Sequence, residues 1–293
     1  MMNNCDLITL LEKSILLSKK TRTHRVMKIP NKMFYLKILE LMTLWFKKPV
    51  RIKAKTFWNE NMLVILPEIV SVNIYRNGFF EEGLTKMVLE YLKPGMTFFD
   101  IGAHFGYFTL LSSVLVGNEG QVHSFEPTPS TFKILKVNVS NKSNVVLNNC
   151  AVLSERKIVL LNDFGIEYSA YNSLYKATLS PDILPKIKVK KYEVESISID
   201  DYVDKQGLKP SFIKIDAENS EHSIILGMEK TIDKFHPIIS VEVGNIGSKD
   251  LDLINIIMNR GYQPFEFKDG KIQRHFLKNE PYCYDNILFL PCK

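Results

Sequence analysis

The sequence predicts an α/β fold of Rossmann-like type, a doubly wound and mostly parallel sheet, and three observations carry that reading. From Gly95 onward, short apolar runs alternate with helical patterns, as strands do when helices cover both faces of their sheet. A glycine-bearing turn, Asp100-Ile101-Gly102-Ala103-His104-Phe105-Gly106, follows the first of these strands and leads directly into a helix. An acidic residue, Glu126, ends the next strand roughly twenty residues later, where a carboxylate can accept both hydrogen bonds of a ribose diol.

The elements follow in order. Residues 6–17 and 31–46 carry apolar positions at helical spacing, as in Phe34, Ile38, Leu41 and Trp45, with Lys and Arg around them. Residues 1–55 read as a basic helical extension. The runs 62–66 and 69–75 are rich in β-branched residues and separated by Pro67, which predicts two short strands within an accessory segment, 56–94. A helix over 81–92 puts Leu84, Val88 and Leu92 on one face and stops at Pro94-Gly95. The main domain, 95–293, then supplies strands at 97–101, 121–126, 145–149, 211–216, 237–243, 262–267 and 284–290. Helices fit between them at 106–116, 128–140, 219–234 and 249–260. An insertion at about 155–198 holds the runs 157–162 and 187–194, with a helix following near 198–205. Its polar and aromatic stretch, Tyr168, Tyr171, Asn172, Ser173 and Tyr175, is placed either to meet a substrate or to close a sheet edge.

Charge narrows the function classes. The chain of 293 residues has a formal charge of +6, but residues 1–55 hold thirteen Lys and Arg against Asp6, Glu12 and Glu40, a balance of +10 that leaves −4 for the rest. A mildly acidic body lacks the footprint of a general nucleic-acid binder, so no nucleic-acid partner is expected. The basic helices either lie on an anionic membrane surface, hold a partner, or pack on the core or on a second copy in a homo-oligomer. Cys5, Cys150, Cys283 and Cys292 contain no close pair of metal-ligand type, and no signal peptide or bilayer-spanning run is found. A cytoplasmic protein is expected, with the inner membrane surface as the site of contact if the basic helices do lie on a membrane.

The turn restricts the cofactor. A dinucleotide site has G-x-G-x-x-G spacing because its glycines bring a helix N-terminus to a pyrophosphate, whereas here His104 stands at the third position. Gly102 allows a sharp turn with close approach of a ligand, and Gly106 eases the helix entry. Asp100 is poorly placed beside a pyrophosphate and well placed near an ammonium or sulfonium group. S-adenosylmethionine carries both cations and no phosphate, so electrostatics favours it over a nicotinamide dinucleotide.

With these residues in hand, the chain from about Glu68 to Val243 resembles the FkbM family of S-adenosylmethionine-dependent methyltransferases. The motifs are K-P-G-M-T-F-F-D-I-G-A-H-F-G-Y-F-T-L (93–110), F-E-P-T-P (125–129), A-V-L-S (151–154), Asn172-Ser173-Leu174, F-I-K-I-D-A-E (212–218) and I-I-S-V-E-V-G (238–244). The resemblance implies a class I methyltransferase fold, seven-stranded with an antiparallel last strand, and methyl transfer to oxygen on a saccharide, glycolipid or secondary metabolite. It also implies that Asp100, Gly102, Ala103, His104 and Gly106 hold the amino acid end of the cofactor and that Glu126 with Pro127 holds its ribose. Asn149 to Val152, including Ala151, would meet the adenine, and Asp216 would close the site. The sequence departs from the family where a glycine usually follows the second acidic residue: the run is Asp216-Ala217-Glu218-Asn219-Ser220-Glu221. Asn219 is the best substitute for glycine in a left-handed conformation.

Transfer to a hydroxyl needs a base. The candidates at strand ends are Asp216, Glu218 and Glu221 first, then His104, His222 and Glu242. Glu218 and Glu221 have an alternative role in a helix's first turn, where the dipole favours acids. No metal is expected; if one binds, Asp216 and Glu242 are the ligands to hold a magnesium ion. The rival readings are a nicotinamide-dependent oxidoreductase and a non-catalytic scaffold that keeps the fold.

Overall fold

The computed structural model describes residues 4–19, 30–46, 48–175, 179–180, 182–244, 248–278, 282 and 285–292. Two helices, α1 (Asn4–Lys19) and α2 (Pro30–Phe46), open the chain, close to their expected spans. A hairpin follows, β1 (Val50–Lys55) and β2 (Asn61–Leu66), paired antiparallel from Val50 with Leu66 to Lys55 with Asn61.

The expected second strand at 69–75 is instead helical, α3 (Ile69–Asn77). Glu68 overrides the β-branched run: its carboxylate accepts hydrogen bonds from the Val70 N–H at 2.8 Å and the Ser71 N–H at 2.7 Å. Gly78, at φ 79°, closes the other end onto the Ile74 carbonyl. Each β-branched residue disfavours a helix by at most about 0.7 kcal/mol. The cap returns about 0.5–2 kcal/mol, and burying Ile74 about 1.5–3 kcal/mol more. The helix α4 (Glu82–Tyr91) follows as expected.

The main sheet has eight strands. In chain order they are β3 (Thr97–Ile101), β4 (Gln121–Phe125), β5 (Val145–Asn148), β9 (Phe212–Ile215), β10 (Ile238–Val243), β11 (Tyr262–Lys268), β12 (Lys271–Arg274) and β13 (Asp285–Pro291). Across the sheet they run β12-β11-β13-β10-β9-β3-β4-β5. Pairs from β10 to β5 are parallel, and the last strand, β13, enters antiparallel between β10 and β11. Seven of these strands were expected. The eighth, β12, folds back on β11 through Asp269 and Gly270, both at positive φ, a two-residue Asp-Gly turn that is legible as a hairpin signal.

The insertion supplies β7 (Lys157–Asp163) and β8 (Lys190–Ile197), which form a small sheet with β6 (Ala151–Val152) just before it, in the order β6-β8-β7, with a 3-10 segment at Ile166–Tyr171. Helices α5 (Tyr107–Val116), α6 (Pro129–Asn138), α7 (Ile199–Gln206), α8 (Glu221–Leu226), α9 (Glu229–Phe235) and α10 (Ser248–Met258) complete the fold. The helix expected over 219–234 is two helices, broken at Gly227, where a Cβ atom would sit 2.3 Å from the Leu153 carbonyl.

Alternation along β3 divides the core. Phe98 packs with Leu110, Phe212 and the buried Leu7 and Leu11 of α1, while Phe99 and Ile101 pack on the opposite face with Ile224 of α8 and Ile254 of α10. Thus α1 belongs to the core of one sheet face, and Asn4 ties it to the Leu89 and Leu92 carbonyls at 3.0 and 3.2 Å. The chain enters the sheet at β3, builds outward through β4 and β5, and returns to place β9 against β3. Ligands of open α/β sheets bind beyond the carboxyl ends of strands at such a reversal.

Candidate active site

A cavity of about 300 Å³ opens there. Its floor is the turn Gly102, Ala103 and His104; Glu126, Pro127, Cys150 and Ala151 line one end, and Glu81, Lys214, Asp216, Glu218 and Glu242 the other. Met62, Ile69, Val70 and Phe80 of the accessory segment and Ser169 to Leu174 of the insertion form the walls.

Lys214 organises the floor. Only 2% exposed, its ammonium lies 3.4 Å from Asp100 and 3.3 Å from Asp216, and it donates to the Gly102 carbonyl at 2.9 Å. Burial pulls its pKa down, but Asp216, Asp100 and Glu81 together overcome that and hold it above the ordinary lysine value. Sequence reasoning assigned Lys214 no role. The signal was present, since a lysine inside the apolar strand F-I-K-I demands partners.

Asp100 is correspondingly occupied. Fully buried, it accepts from the Thr109 hydroxyl at 2.6 Å, faces Lys214, and does not line the cavity. Gly102 does line the cavity, yet its missing side chain makes room for protein: at φ 75°, a Cβ atom would lie 1.7 Å from the Asp216 carbonyl oxygen. Gly106 is away from the cavity, and its vacancy accommodates Leu135.

Glu126 stands where the ribose carboxylate was expected. One oxygen accepts from the His104 N–H at 3.0 Å and the other from the Thr128 N–H at 2.9 Å, so it ties together the loops after β3 and β4. Burial pushes its pKa up to about 7 against these hydrogen bonds. Asn149 is exposed, off the cavity, and donates to the Glu126 and Pro127 carbonyls at 2.8 and 3.2 Å; it supports the loop from behind. Cys150 and Ala151 take the cavity position expected nearby, and burial drives the Cys150 thiol up to about 12.

His104 sits at φ 51° with Nε2 2.8 Å from the Ser169 hydroxyl, which links the turn to the insertion. Burial, aided by Lys214, lowers its pKa to about 3, so it is neutral and a weak base. His222 and Glu221 are off the cavity. The buried Glu221 carboxylate accepts from the Ala217 N–H at 2.8 Å and shapes the loop that carries Glu218.

Asp216, Glu218 and Glu242 are on the cavity, joined by Glu81 from the start of α4, which sequence reasoning missed because no local motif brings that helix to the sheet. Glu218 Oε2 and Glu81 Oε2 are buried without a hydrogen-bond partner. Burial and Asp216 raise both carboxyls, Glu218 to about 8, and Glu242 is raised by burial and the same neighbour. Glu218 and Asn219 take left-handed conformations, φ 47° and 78°, as expected of Asn219. The Ser173 hydroxyl donates to the Glu218 carbonyl at 2.7 Å, so the insertion braces the strained residue.

A buried group of carboxylates beside one lysine suits a cationic ligand and repels a pyrophosphate. The orphaned oxygens of Glu81 and Glu218 therefore fit the ammonium and sulfonium charges of S-adenosylmethionine. Among the described residues, no three His, Cys, Asp or Glu side chains are grouped to hold a metal ion.

The methyltransferase FkbM domain matches residues 100–264. The 31-O-demethyl-FK506 methyltransferase FkbM of Streptomyces tacrolimicus is 27% identical over 178 residues, 53% of this chain and 68% of its own. A solved methyltransferase FkbM from Methylobacillus flagellatus KT shares 19% identity with a TM-score of 0.43; the match covers 74% of this chain and 52%, about half, of that one. Aeropyrum pernix fibrillarin, solved with natively bound S-adenosyl-L-methionine, shares 12% identity with a TM-score of 0.39 over 68% of this chain and 67% of its own. The chain belongs to the FkbM family of S-adenosylmethionine-dependent methyltransferases.

Proposed function

We propose that this protein methylates a hydroxyl group of a saccharide, glycolipid or secondary metabolite, with Glu218 as the general base. The observation that carries the reading is the Glu218 carboxylate: it faces the cavity, lacks a partner at Oε2, and has a pKa of about 8. A base works best with a pKa near the operating pH. Asp216 is paired with Lys214, and Glu221 lies off the cavity with its carboxylate engaged by the Ala217 N–H. Transfer to oxygen agrees with the relative whose name specifies a 31-O-demethyl substrate. Asn73, Asn172 and Ser173 give the walls the polar groups that a hydroxyl-rich acceptor uses.

Each Glu126 oxygen retains a lone pair beyond its amide bond, enough for a ribose diol. Ala151 and Val152 offer the adenine an apolar edge, and the Gly102 to His104 turn with Glu81 and Asp216 receives the amino acid end. When bound, the cofactor supplies an electrophilic methyl group on a positively charged sulfur. A cation in the cavity stabilises the ionised Glu218, so its pKa falls from about 8 toward neutrality and the base is unprotonated when needed. A scaffold role is disfavoured because side chains do not fill the cavity.

The test is Glu218→Gln, read by transfer of labelled methyl groups into a saccharide-rich fraction of the source organism. The expected result is a loss of about 10²–10⁴ in turnover at saturating cofactor, the contribution of a positioned base, with a much smaller loss in cofactor affinity. Wild-type turnover in that variant rejects the role.

A further inference from the structure

The helix α2 is apolar on two faces. Leu36, Leu39 and Thr43 are buried, on the helix that meets β2. On the other side Phe34, Tyr35, Ile38, Leu41, Met42 and Trp45 are exposed, Phe34 at 71% and Trp45 at 83%. At 3.6 residues per turn, Phe34, Ile38, Leu41 and Trp45 fall within about 60° of arc, and Tyr35 and Met42 widen the face to about 120°. The sequence period identified this stripe correctly as one face, and the fold turns it outward. A continuous apolar face of this kind marks an interaction surface.

Charge selects the occupant. The segment 1–55 has a balance of +10, against −4 for the remainder. Lys37 flanks the apolar face on the same helix, and exposed Lys48, Arg51, Lys53 and Lys55 follow directly. A symmetric second copy would bring like charge against like charge, which opposes docking. Anionic lipid headgroups complement it, and Trp, Tyr and Phe suit the boundary between headgroup and acyl chain. Among the described residues no helix is long and apolar enough to cross a membrane, so the contact is one of lying on the surface.

We propose that α2 docks the protein on an anionic lipid surface, with the Phe34, Ile38, Leu41 and Trp45 face at the headgroup boundary and the exposed Lys and Arg that follow it in sequence drawn to lipid phosphates. Fluorescence reads this directly, because the chain has two tryptophans and Trp58 is buried at 1% exposure. A change in emission on adding vesicles therefore reports Trp45. With the full chain, vesicles of mixed phosphatidylglycerol and phosphatidylcholine are expected to shift the emission to the blue and to co-sediment the protein. Phosphatidylcholine alone should do neither, and 0.5 M salt should weaken partitioning by at least about tenfold through screening.

The double variant Phe34→Ser/Trp45→Ser, at exposed positions, is expected to keep the wild-type melting temperature and S-adenosylhomocysteine affinity. It should lose at least about tenfold in co-sedimentation, since burying one large apolar side chain is worth more than 1.4 kcal/mol. Absence of partitioning by the wild-type chain overturns the proposal, as does equal partitioning onto the uncharged vesicles. A wild-type dimer in sedimentation that the double variant dissociates, without vesicle binding, assigns the face to a second copy instead.

Discussion

Replacing Lys214 by methionine is expected to destabilise the fold by about 3–5 kcal/mol, the effect of stripping one partner from a buried ion cluster. The reason lies in what remains. Asp100 is fully buried, and its Oδ1 has Lys214 as its charge partner and no hydrogen bond. Without the ammonium, Asp100 and Asp216 lose the counter-ion they share, and Glu81 loses the same positive neighbour. For a chain of this size each kcal/mol shifts the melting temperature by about 2–4 °C, so a drop of roughly 10 °C is expected in thermal denaturation. The double variant Lys214→Met/Asp100→Asn should recover part of the loss, because it removes the stranded charge as well. A single variant that melts within about 2 °C of wild type would show that the cluster is not holding the floor together.

Gly102→Ala is expected to abolish cofactor binding and to destabilise the chain by more than about 3 kcal/mol. Two effects combine. A left-handed backbone opposes any L side chain by about 1–2 kcal/mol. The added methyl group also lands 1.7 Å from the Asp216 carbonyl oxygen, a backbone atom that moves only if the loops after β3 and β9 part. Parting them strains the Lys214 bond to the Gly102 carbonyl and moves Asp216 and Glu218 together. Gly207→Ala separates the two effects, because Gly207 has φ 64° and nothing within 4 Å of its missing Cβ atom. It should cost about 1 kcal/mol and leave binding intact. Retained binding of S-adenosylhomocysteine by Gly102→Ala would show that the loop crossing does not build the site.

The residues of the sheet's carboxyl edge were legible because each follows a strand that announces itself. Gly102, Glu126, Asp216 and Glu218 come to one cavity as their motifs implied. What each does there was less legible. Asp100, Gly106, Asn149 and Glu221 carry the right signals for a site yet do not line the cavity, since sequence position fixes a residue's neighbourhood and not the direction of its side chain. Glu81 arrives from an accessory helix more than a hundred residues before Asp216, a contact that only tertiary packing creates. Lys214 and the Asp269-Gly270 hairpin are different, for their signals were in the sequence. The helix at Ile69–Asn77 was misread because β-branched propensity outweighed an N-cap glutamate outside the usual capping residues.

Under the proposed role of Glu126 as the ribose ligand, this carboxylate-rimmed cavity takes S-adenosylmethionine and not a nicotinamide dinucleotide. Calorimetric titration of the full chain with S-adenosylhomocysteine, and separately with reduced nicotinamide dinucleotide, tests it most directly. One equivalent of S-adenosylhomocysteine should bind, Glu126→Ala should weaken that binding by about 1–3 kcal/mol, and the dinucleotide should give no heat. Binding of the dinucleotide without binding of S-adenosylhomocysteine would assign the cavity to the dinucleotide.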